Sequence, residues 1–516
     1  MEAIITIELG TNAVRIFAFD MKGNTIGSMK GSYPTFHTEP DYSEQDPEQV
    51  FITMLYVLKN LLTEKINPNK YKVVSICFSA SMHSVLAIDK RGVPLGNAIT
   101  WSDNRGKHEA QELKKSDLGR QLYEITGTPI HPMSPLVKIA WMKNHAPDQF
   151  NQTYKFLSIK SYIIQQLTGE YFIDYSLASA TGLMNIQSIA WEPSALEYAG
   201  ISATHLPELA PVFHFPGKLR KEYQNSLGLP PSTNIILGSS DGCMATLGAG
   251  VWTEGKATIT IEDSGAVRMV GNRMLRDEKR RFFNYLLQED CYVSGGPTNN
   301  GGVVFEWFAK QFGDFRGPYD IEFTIENLIR EAAKVGVGSD GLLFLPYLLG
   351  ERAPIWNPNA RGSYFGINIK HERQHFIRAT IEGILYQVYS IGKTLGEHRR
   401  IDSLSVNGSF ASIPFCTQMI ADIFNKPVTS TNANSTSVGS FLLSATQLGE
   451  YSSLEEASRK VQPSNFYDPD PHNHAIYRQY FEVFEKLGTS LTDAFEDISD
   501  LQHKNTHRIS FDGAAV

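Results

Sequence analysis

The opening thirty residues carry the hydrophobic pattern of β-strands. Three runs rich in apolar residues, IITIEL, AVRIFAFD and TIGSMKG, are separated by Gly-Thr-Asn and Lys-Gly-Asn. Such runs bounded by turn residues predict a β-hairpin and a third strand. A helix is predicted from about Pro47 to Glu64, because Asp46 is a good N-cap and proline suits the first helical turn. Strands and helices then alternate as far as NIILGSSDG, which predicts an α/β fold with a mixed sheet.

The same pattern begins again near residue 250. GKATITIEDSGAVRMV at 255–270 resembles AIITIELGTNAVRIF at 3–17, since both contain I-T-I-E followed by a polar turn and A-V-R. The similarity predicts two halves of like topology, although any two hairpins share part of this pattern. We therefore expect one domain at 1–252, a second at 253–490, and a polar tail at 491–516.

Composition and charge narrow the class of protein. The 516 residues are 42% hydrophobic and 20% charged with a net charge of −8, which excludes disordered and fibrous chains and disfavours nucleic acid as a partner. No apolar run approaches the roughly 18 residues that span a bilayer, and the N-terminus lacks the basic segment of a signal peptide. Four widely spaced cysteines indicate reduced, buried thiols. These features predict a cytoplasmic protein without membrane contacts.

Two short motifs suggest chemistry that their surroundings oppose. His371-Glu372-Arg373-Gln374-His375 matches the zinc motif HExxH, but it starts at a predicted loop-to-helix junction and no third ligand is identifiable. Gly392-Lys393-Thr394 resembles the end of a Walker loop, but Gln387 stands where the first glycine belongs and the pattern around it is helical. We expect neither zinc nor a Walker-type phosphate site.

Glycine-containing turns at predicted strand ends recur in both halves. Such turns direct backbone N–H groups at an anion, and a helix N-terminus adds its dipole. One such turn is weak evidence, whereas several in repeated halves predict a nucleotide held between two domains. The turns are Gly10-Thr11-Asn12, Ser264-Gly265, Gly295-Gly296, Asn300-Gly301-Gly302 and Gly408-Ser409.

Asp241 lies between an apolar strand and a helix of small residues, in IILGSSDGCMATLGAG. Its position alone favours a helix N-cap. The alternative is a carboxylate kept ionised by the helix dipole and ready to accept a proton from an alcohol. Residues suited to a polyol precede it, combining an apolar wall with groups that bind hydroxyls, although each is individually explicable as a core or surface residue. They are Met82, His83, Trp101, Asp103, Arg105, Lys160, Asp174 and Ser176.

Two long segments resemble the signatures of the FGGY carbohydrate kinases. MSPLVKIAWMKNH (133–145) and GSYFGINIKHERQHFIRATIE (362–382) fit the two family patterns position by position. SMHSVLAID, AITWSDNR, GSSDG and GERAPIWNPNARG are similar to further family segments, so the resemblance runs from about residue 4 to about residue 485. It implies two actin-like, ribonuclease H-like domains around a cleft, a family helix beginning at HERQH, and a homodimer as the expected assembly.

The resemblance implies an ATP-dependent kinase that acts on the terminal hydroxyl of a sugar. Asp241 would be the catalytic base that takes the hydroxyl proton while the oxygen attacks the γ-phosphoryl group of ATP, with Mg²⁺ and the glycine turns stabilising the phosphate charge. The sugar would be bound by Met82, His83, Trp101, Asp103, Lys160 and Asp174. The nucleotide side would comprise Gly10, Thr11, Asn12, Glu262, Asp263, Ser264, Gly301, Gly302, Gly408, Ser409 and Ser412.

Three segments resemble the gluconate kinase branch of the family: FLSIKSYIIQQLTG, GGPTNNGGVVFEWF and SGAVR. Arg268, in the last of these, has a physical rationale, because a guanidinium binds the carboxylate of a sugar acid in bidentate fashion. Pairing with a protein acid is the alternative role. We expect D-gluconate as substrate and 6-phosphogluconate as product, with xylulose or a related ketose or polyol as the alternative substrate.

The phosphate-binding turns depart from the family pattern. Glu8 stands where the first turn usually has Asp, Glu262-Asp263 stand where the second usually has Gly-Thr, and Asn407 replaces the first glycine of the adenosine turn. At about 4–5 Å each carboxylate would repel a phosphate by several kcal/mol at an effective dielectric near 20, unless Mg²⁺ lies between. Either these acids help to bind magnesium, with Glu8 as the metal ligand, or the chain is a weak kinase or a sugar-acid-binding pseudokinase. The sugar motifs disfavour a third class, an actin-like assembly protein.

Overall fold

The computed structural model describes residues 1–39, 41–313, 321–411, 413–431 and 434–512, without the side chains of 321–324 and 503–512. The chain forms two compact units, and the first comprises Met1–Thr253, Val270–Ser294 and Asn434–Gln462. This differs from the predicted division into contiguous domains at residue 252. Two later segments belong to the first unit because their apolar side chains, including Phe283, Tyr285 and Phe441, are buried in one of its hydrophobic clusters.

Strands and helices alternate along the chain, as the hydrophobic pattern predicts. The strands are β1 (Glu2–Leu9), β2 (Ala13–Asp20), β3 (Thr25–Ser32), β4 (Glu44–Gln45), β5 (Lys72–Ala80), β6 (Leu86–Ile88), β7 (Ala98–Ile99), β8 (Lys155–Leu157), β9 (Phe172–Asp174), β10 (Met184–Asn185), β11 (Ala190–Trp191), β12 (Glu208–Ala210), β13 (Asn234–Ser240), β14 (Gly255–Ile261), β15 (Gly265–Gly271), β16 (Phe283–Gln288), β17 (Cys291–Thr298), β18 (Leu343–Leu345), β19 (Ser363–Phe365), β20 (Ile401–Asn407), β21 (Val428–Ser430) and β22 (Asn465–Tyr467).

One of the α-helices is 24 residues long and spans Arg373–Gly396. The helices are α1 (Pro47–Asn60), α2 (Lys107–Lys115), α3 (Asp117–Thr126), α4 (Pro135–His145), α5 (Pro147–Gln152), α6 (Ile159–Thr168), α7 (Tyr175–Ser179), α8 (Pro193–Ala199), α9 (Lys221–Leu227), α10 (Asp241–Gly248), α11 (Gly302–Phe312), α12 (Ile321–Ala332), α13 (Arg373–Gly396), α14 (Pro414–Phe424), α15 (Ser435–Gln447), α16 (Leu454–Ser458), α17 (Pro471–Ser490) and α18 (Thr492–Asp512), with short 3₁₀ turns at Ala203–His205 and Ser339–Gly341 and a π turn at Leu61–Lys65.

The two large sheets repeat one arrangement of strands. One sheet has the order β13-β5-β1-β2-β3, and the other has the order β16-β17-β15-β14-β20-β21-β22. β1 pairs antiparallel with β2 and parallel with β5, while β14 pairs antiparallel with β15 and parallel with β20. A further parallel strand follows in each case, β13 beside β5 and β21 beside β20. This shared topology confirms the internal repeat predicted from the two hairpin sequences.

Local signals place several elements where the sequence predicts them. Asp46 caps α1 through hydrogen bonds from the backbone N–H groups of Glu48 and Gln49, and Pro47 is the first helical residue. His371 precedes α13, and Glu372 is its N-cap. Gly392-Lys393-Thr394 lies inside the same helix. The first motif therefore spans the start of α13, and the second lies within that helix.

The described residues bear on three expectations from the sequence, which concern the cysteines, metal-binding groups and membrane-spanning helices. Cys77, Cys243, Cys291 and Cys416 are all free and buried, as their spacing predicts. Within the described ranges, no group of three or more His, Cys, Asp or Glu side chains is placed to hold a metal ion. Among the helices that the structure describes, none combines the length and the apolar character needed to cross a membrane.

The C-terminal region differs from the polar tail that we expected. It forms α18, in which Phe495 is 4% exposed and packs edge to face on Tyr347 at 6.0 Å between ring centroids. Arg361 donates a hydrogen bond to the hydroxyl of Ser499 at 2.9 Å, and Ser499 is buried. One apolar ring and one buried hydroxyl thus anchor a stretch that composition alone marks as polar.

Candidate active site

Asp241 is the first residue of α10, directly after β13. The N-cap is Ser240, whose Oγ accepts a hydrogen bond from the backbone N–H of Cys243 at 3.4 Å. The capping interpretation favoured by position is therefore corrected, because the serine takes that role. The Asp241 carboxylate is half-buried in the first turn, where the helix dipole favours its ionised form. Its Oδ1 accepts a hydrogen bond from the N–H of Gly242 at 2.6 Å.

Gly238 produces a bend in β13, the strand that directly precedes Asp241. Gly238 has φ of 68°, a left-handed conformation that side chains rarely adopt. A Cβ there would lie 1.7 Å from the carbonyl oxygen of Phe78 on β5. The register between β13 and β5 shifts at this point, between Ile236 and Ser239. The bend aims the last residues of β13 toward the start of α10.

A buried ion pair lies behind the strand end. Lys160 Nζ is 2.7 Å from Asp174 Oδ2, and their side chains are 1% and 0% exposed. Lys160 also donates a hydrogen bond to the carbonyl oxygen of Ser239 at 3.1 Å. Ser176 Oγ donates to Asp174 Oδ1 at 2.5 Å and accepts from the N–H of Ser240 at 2.8 Å. The structure thus brings Lys160, Asp174 and Ser176 together, but as an enclosed support for the residues before Asp241 rather than as direct sugar contacts.

His83 is held by protein groups at both ring nitrogens. Its Nδ1 lies 2.8 Å from the carbonyl oxygen of Ala180, and its Nε2 lies 3.1 Å from the hydroxyl of Tyr285. A carbonyl oxygen only accepts, so Nδ1 carries a proton and donates a hydrogen bond to Ala180, while Nε2 faces the hydroxyl of Tyr285. The backbone of His83 has φ of 67°, and the preceding Met82 is half-buried. Tyr285 is a residue that sequence reasoning missed, because it lies 202 positions away.

Trp101 and Asp103 are placed by different partners. The indole Nε1 of Trp101 donates a hydrogen bond to Thr11 Oγ1 at 2.9 Å, which joins a predicted sugar residue to the first glycine turn. Asp103 is fully buried and accepts hydrogen bonds from the Ser43 N–H at 2.7 Å and from the Arg105 Nε at 2.9 Å. Asp103 therefore orders the loop that carries Trp101.

The first glycine turn is held through its carbonyl groups. Tyr33 donates its hydroxyl hydrogen to the Gly10 carbonyl at 2.6 Å. Thr35 donates to the Thr11 carbonyl at 3.1 Å, and its hydroxyl also lies 2.9 Å from Asn12 Oδ1. Gln45 donates to the same Thr11 carbonyl. With the carbonyls so engaged, the turn has the fixed backbone that an anion site requires.

Glu8 lies opposite Arg15 in the β1–β2 hairpin. Its Oε1 accepts a hydrogen bond from Arg15 Nη1 at 2.9 Å, with the glutamate side chain 13% exposed and the arginine side chain 44% exposed. The carboxylate that replaces the usual Asp of the family turn is therefore paired with a cation in this structure.

In the second unit, the turn Glu262-Asp263-Ser264 caps the start of α11. The N–H of Gly302 donates to the Glu262 carbonyl at 2.7 Å, and the N–H of Gly301 donates to the Asp263 carbonyl at 3.2 Å. A Cβ at Gly301 would lie 2.5 Å from the Ser264 carbonyl oxygen, so glycine is needed for this close approach. The structure thus brings together the five residues of two turns predicted on the nucleotide side.

The turn predicted for adenosine, at residues 407–409, lies against the end of β14, the strand that leads into the turn Glu262-Asp263-Ser264. Gly408 has φ of 95°, and a Cβ there would lie 2.4 Å from the Ile261 carbonyl oxygen. Ser409 donates its hydroxyl hydrogen to Glu262 Oε2 at 2.8 Å. Asn407 is fully buried at the end of β20. Ser412, also predicted here, lies outside the described residues.

Glu351 organises the loop before α11 and was missed by the sequence analysis. It accepts hydrogen bonds from the Thr298 hydroxyl at 2.7 Å, the Asn300 side-chain amide at 3.0 Å and the backbone N–H groups of Asn299 and Arg352. Burial raises the pKa of this carboxyl, while the four hydrogen bonds oppose that rise. The only available signal was its place in the segment GERAPIWNPNARG.

Arg268 lies on β15 beside a glycine of β17. Its Nη1 donates a hydrogen bond to Thr260 Oγ1 at 3.1 Å, and the side chain is half-buried. A Cβ at Gly295 would lie 3.0 Å from the Arg268 Cα, so the glycine allows the two strands to approach at this point. The arginine is thus fixed on a strand rather than carried on a loop.

A groove of about 590 Å³ lies elsewhere on the first unit. Its lining includes Lys155, Tyr171, Trp191 and Glu208. None of the residues that line it is a predicted site residue, so it does not bear on the candidate site.

Comparison with known proteins identifies the family. A model of the FGGY family of carbohydrate kinases, N-terminal domain, matches residues 3–248, and the C-terminal domain model of the same family matches residues 257–448. The gluconokinase of Bacillus subtilis (strain 168) is 36% identical over 511 residues, covering 97% of this chain and 98% of that protein. A xylulose kinase of Staphylococcus epidermidis is 30% identical over 491 residues, covering 94% and 96%.

Solved structures agree with this assignment. A gluconate kinase from Lactobacillus acidophilus matches with a TM-score of 0.90 at 31% identity, covering 96% of this chain and 99% of that one. A ligand-bound xylulose kinase from the same organism matches with a TM-score of 0.91 at 31% identity, covering 96% and 100%. The mixed α/β fold with two similar halves is therefore the actin-like fold that the resemblance implied, and the chain belongs to the FGGY family of carbohydrate kinases.

Proposed function

We propose that this carbohydrate kinase is a gluconokinase, which transfers the γ-phosphoryl group of ATP to the terminal hydroxyl of D-gluconate and forms 6-phosphogluconate and ADP. The observation that carries the proposal is Arg268, a guanidinium fixed on β15 by Thr260. A sugar acid brings a carboxylate that such a group binds strongly, whereas a neutral ketose or polyol gives it no anionic partner. The higher identity to gluconokinase than to xylulose kinase, 36% against 30%, supports the same substrate.

Asp241 is proposed as the catalytic base. Its carboxylate accepts the proton of the terminal hydroxyl as the oxygen forms a bond to the γ-phosphorus, and the bond from that phosphorus to the β-phosphate oxygen breaks, which releases ADP. The enclosed Lys160–Asp174 pair and Ser176 fix the residues that precede Asp241. They keep the base in place without contacting the substrate.

The sugar is proposed to bind beside Met82, His83 and Trp101, and the nucleotide beside the turns at 10–12, 262–264, 301–302 and 408–409. Ser264 supplies a hydroxyl, and the glycines allow close approach of phosphate oxygens to the backbone. Assembly as a homodimer and location in the cytoplasm stay predictions.

Magnesium is the metal we propose, because kinases neutralise the charge of transferred phosphate with hard divalent cations. The chain offers a matching donor, the carboxylate of Glu8, and Mg²⁺ commonly takes one or two protein carboxylates together with substrate phosphates. Glu8 is paired with Arg15, so a metal ligand at that position must share its carboxylate with a cation.

A coupled ADP-release assay with gluconate, xylulose and a panel of polyols tests the substrate. We expect gluconate-dependent turnover that D241N lowers by about a thousandfold or more, since the amide cannot accept the proton. Turnover of xylulose but not gluconate would show the alternative substrate, which the 30%-identical xylulose kinase supports.

A pseudokinase is the second candidate, and the acids at Glu262 and Asp263 favour it. Gluconate binding measured by calorimetry without any turnover, at all Mg²⁺ or Mn²⁺ concentrations, would establish that alternative. The two assays together therefore separate a change of substrate from a loss of catalysis.

A further inference from the structure

Lys138 is a lysine of α4 whose side chain is completely enclosed by protein. Its relative exposure is 0%, and its Nζ donates hydrogen bonds to two backbone carbonyl oxygens, those of His83 at 2.7 Å and Thr100 at 2.6 Å. The two acceptors are 17 residues apart in the chain. One side chain thus bridges two separate loops.

The two bridged loops are those that carry the predicted sugar residues. His83 follows Met82, and Thr100 immediately precedes Trp101. The backbone at His83 is in the left-handed region, with φ of 67°, where a non-glycine residue needs local support. The bond from Lys138 to the His83 carbonyl fixes the backbone of this residue, while Ala180 and Tyr285 contact its ring.

The helix that carries Lys138 is itself anchored to the same region. The N–H of Leu136 and the hydroxyl of Ser134 both donate to the carbonyl of Thr181, at 3.0 Å and 3.2 Å. Thr181 directly follows Ala180, whose carbonyl accepts the hydrogen of the His83 ring. These two hydrogen bonds fix the start of α4, and therefore the position from which the Lys138 side chain extends.

Simple packing does not account for a lysine here. A fully buried ammonium loses its hydration, and a methionine of similar length would fill the same space without that loss. No carboxylate within the described residues forms an ion pair with Lys138, although Asp103 and Arg105 act on it at longer range. Burial lowers the pKa of Lys138 to about 7. The neutral amine has two N–H groups, which match the two carbonyls, so the bridge persists in both protonation states.

We propose that Lys138 is a positioning residue for the sugar, which sets the spacing between the Met82–His83 loop and the Trp101 loop through its two carbonyl bonds. The proposal rests on the proposed sugar site and assigns no contact between Lys138 and substrate. Loss of the bridge should weaken sugar binding and leave nucleotide binding intact.

The test compares K138M with K143M, which removes an exposed lysine from the same helix by the same substitution. We expect K138M to raise the KM for the sugar by about tenfold or more and to change the KM for ATP by less than about twofold. Calorimetric binding of the sugar without nucleotide should weaken by the same factor as the KM. K143M should match the unmodified enzyme.

K138R keeps donors for both carbonyls and serves as the conservative variant. Partial recovery of the sugar KM in K138R would support positioning by the hydrogen bonds. Equal losses for sugar and ATP in folded K138M, or an unchanged sugar KM, would overturn the proposal. If K138M fails to fold, K138Q takes its place, because its side chain is one atom shorter and lacks the amine that bridges the two carbonyls. An unchanged sugar KM in K138Q, or equal increases in the KM values for sugar and ATP, would then overturn the proposal.

The sugar in these assays is whichever one the unmodified enzyme phosphorylates. Failure of the gluconate assignment therefore shows in the unmodified enzyme, whereas failure of the positioning role shows only in the variants. For a chain that binds sugar without turnover, the calorimetric comparison alone provides the test.

Discussion

The hydroxyl of Ser409 donates a hydrogen bond to Glu262 Oε2 at 2.8 Å. Both residues lie on turns that we propose for the nucleotide, and the glutamate stands where the family pattern has glycine. The bond joins the turn Glu262-Asp263-Ser264 to the turn at 407–409, so the Ser409 hydroxyl is engaged by the glutamate.

The first prediction concerns this glutamate and its neighbour. Restoring the family residues with E262G/D263T should raise kcat/KM for ATP, because it removes two carboxylates that repel phosphate and releases the Ser409 hydroxyl. Steady-state kinetics with ATP as the varied substrate measures the effect. E306Q on α11, where the glutamate side chain is 38% exposed, is the control for removing a charge nearby. A lower kcat/KM in the double variant would show that the acids are functional ligands.

The second prediction concerns the buried ion pair between Lys160 and Asp174, behind the strand end that precedes Asp241. D174N should lower the free energy of unfolding by about 3–5 kcal/mol, because it leaves the Lys160 ammonium buried without its counter-charge. Denaturant unfolding measures this value. E455Q breaks the exposed pair with Arg459 and should cost less than about 1 kcal/mol.

The same variant should also slow catalysis. The hydrogen bonds from Ser176 to Asp174 and from Ser240 to Ser176 would loosen, which displaces Asp241. A D174N enzyme with normal kcat would contradict the supporting role of the pair.

The third prediction is a dependence of stability on pH that comes from Lys138. Its pKa is lowered by burial from 10.5 to about 7, with Asp103 opposing and Arg105 reinforcing the shift. Between these values the unfolded chain binds more protons than the folded one, so this group makes stability rise with pH. From pH 7 to pH 9 the unmodified protein should gain about 2 kcal/mol relative to K138M.

Urea unfolding of both proteins at the two pH values provides the measurement. The difference between them cancels the titration of groups common to both. A constant difference across this range would mean that Lys138 keeps an ordinary pKa in the folded protein.

The fourth prediction concerns the contact between α10 and α15 in the first unit. A Cβ at Gly248 would lie 1.9 Å from the Ser435 carbonyl oxygen, with backbone rather than a flexible side chain in the way. G248A should therefore destabilise the protein by about 1–3 kcal/mol through overpacking. G396A, at the end of α13 with nothing within 4 Å, should be neutral or stabilising by about 0.5 kcal/mol. Thermal unfolding of the two alanine variants makes the comparison.

The fifth prediction concerns Glu351. In E351Q the new amide must face either the Asn300 side-chain amide or the N–H groups of Asn299 and Arg352, and all of these are donors. The loop before α11 should shift, which raises the KM for ATP by about tenfold and leaves sugar binding unchanged. Kinetics with each substrate varied in turn separates the two effects. An equal change for both substrates would argue against a local effect on the nucleotide side.

Local signals explain what the sequence could predict. The hairpin turns, the Asp46 cap and the start of α13 depend on residues within a few positions of one another, and each is confirmed. The family assignment from the two long signatures is also confirmed.

What the sequence could not predict depends on distant partners. The cap of α10 is a separate case, because Ser240 and Asp241 are neighbours and only the backbone geometry of that turn decides which of them caps the helix. The contacts of His83 with Tyr285 and of Lys138 with two loops join residues brought together only by folding. Lys160 and Asp174 carry charges, which favour an exposed role from sequence alone, and only their mutual pairing makes full burial tolerable.

The first unit consists of three segments that are far apart in the sequence, and this affects how the unit folds during synthesis. Its segment 434–462 supplies Phe441, Leu442 and Leu443 to the core that surrounds Ile4 and Phe19. On the ribosome these residues appear about 180 positions after Thr253, a delay on the order of ten to forty seconds at ordinary rates of synthesis. The N-terminal half must therefore wait, with part of its apolar surface exposed, until nearly the whole chain has emerged, and a fragment ending at residue 253 should aggregate rather than fold.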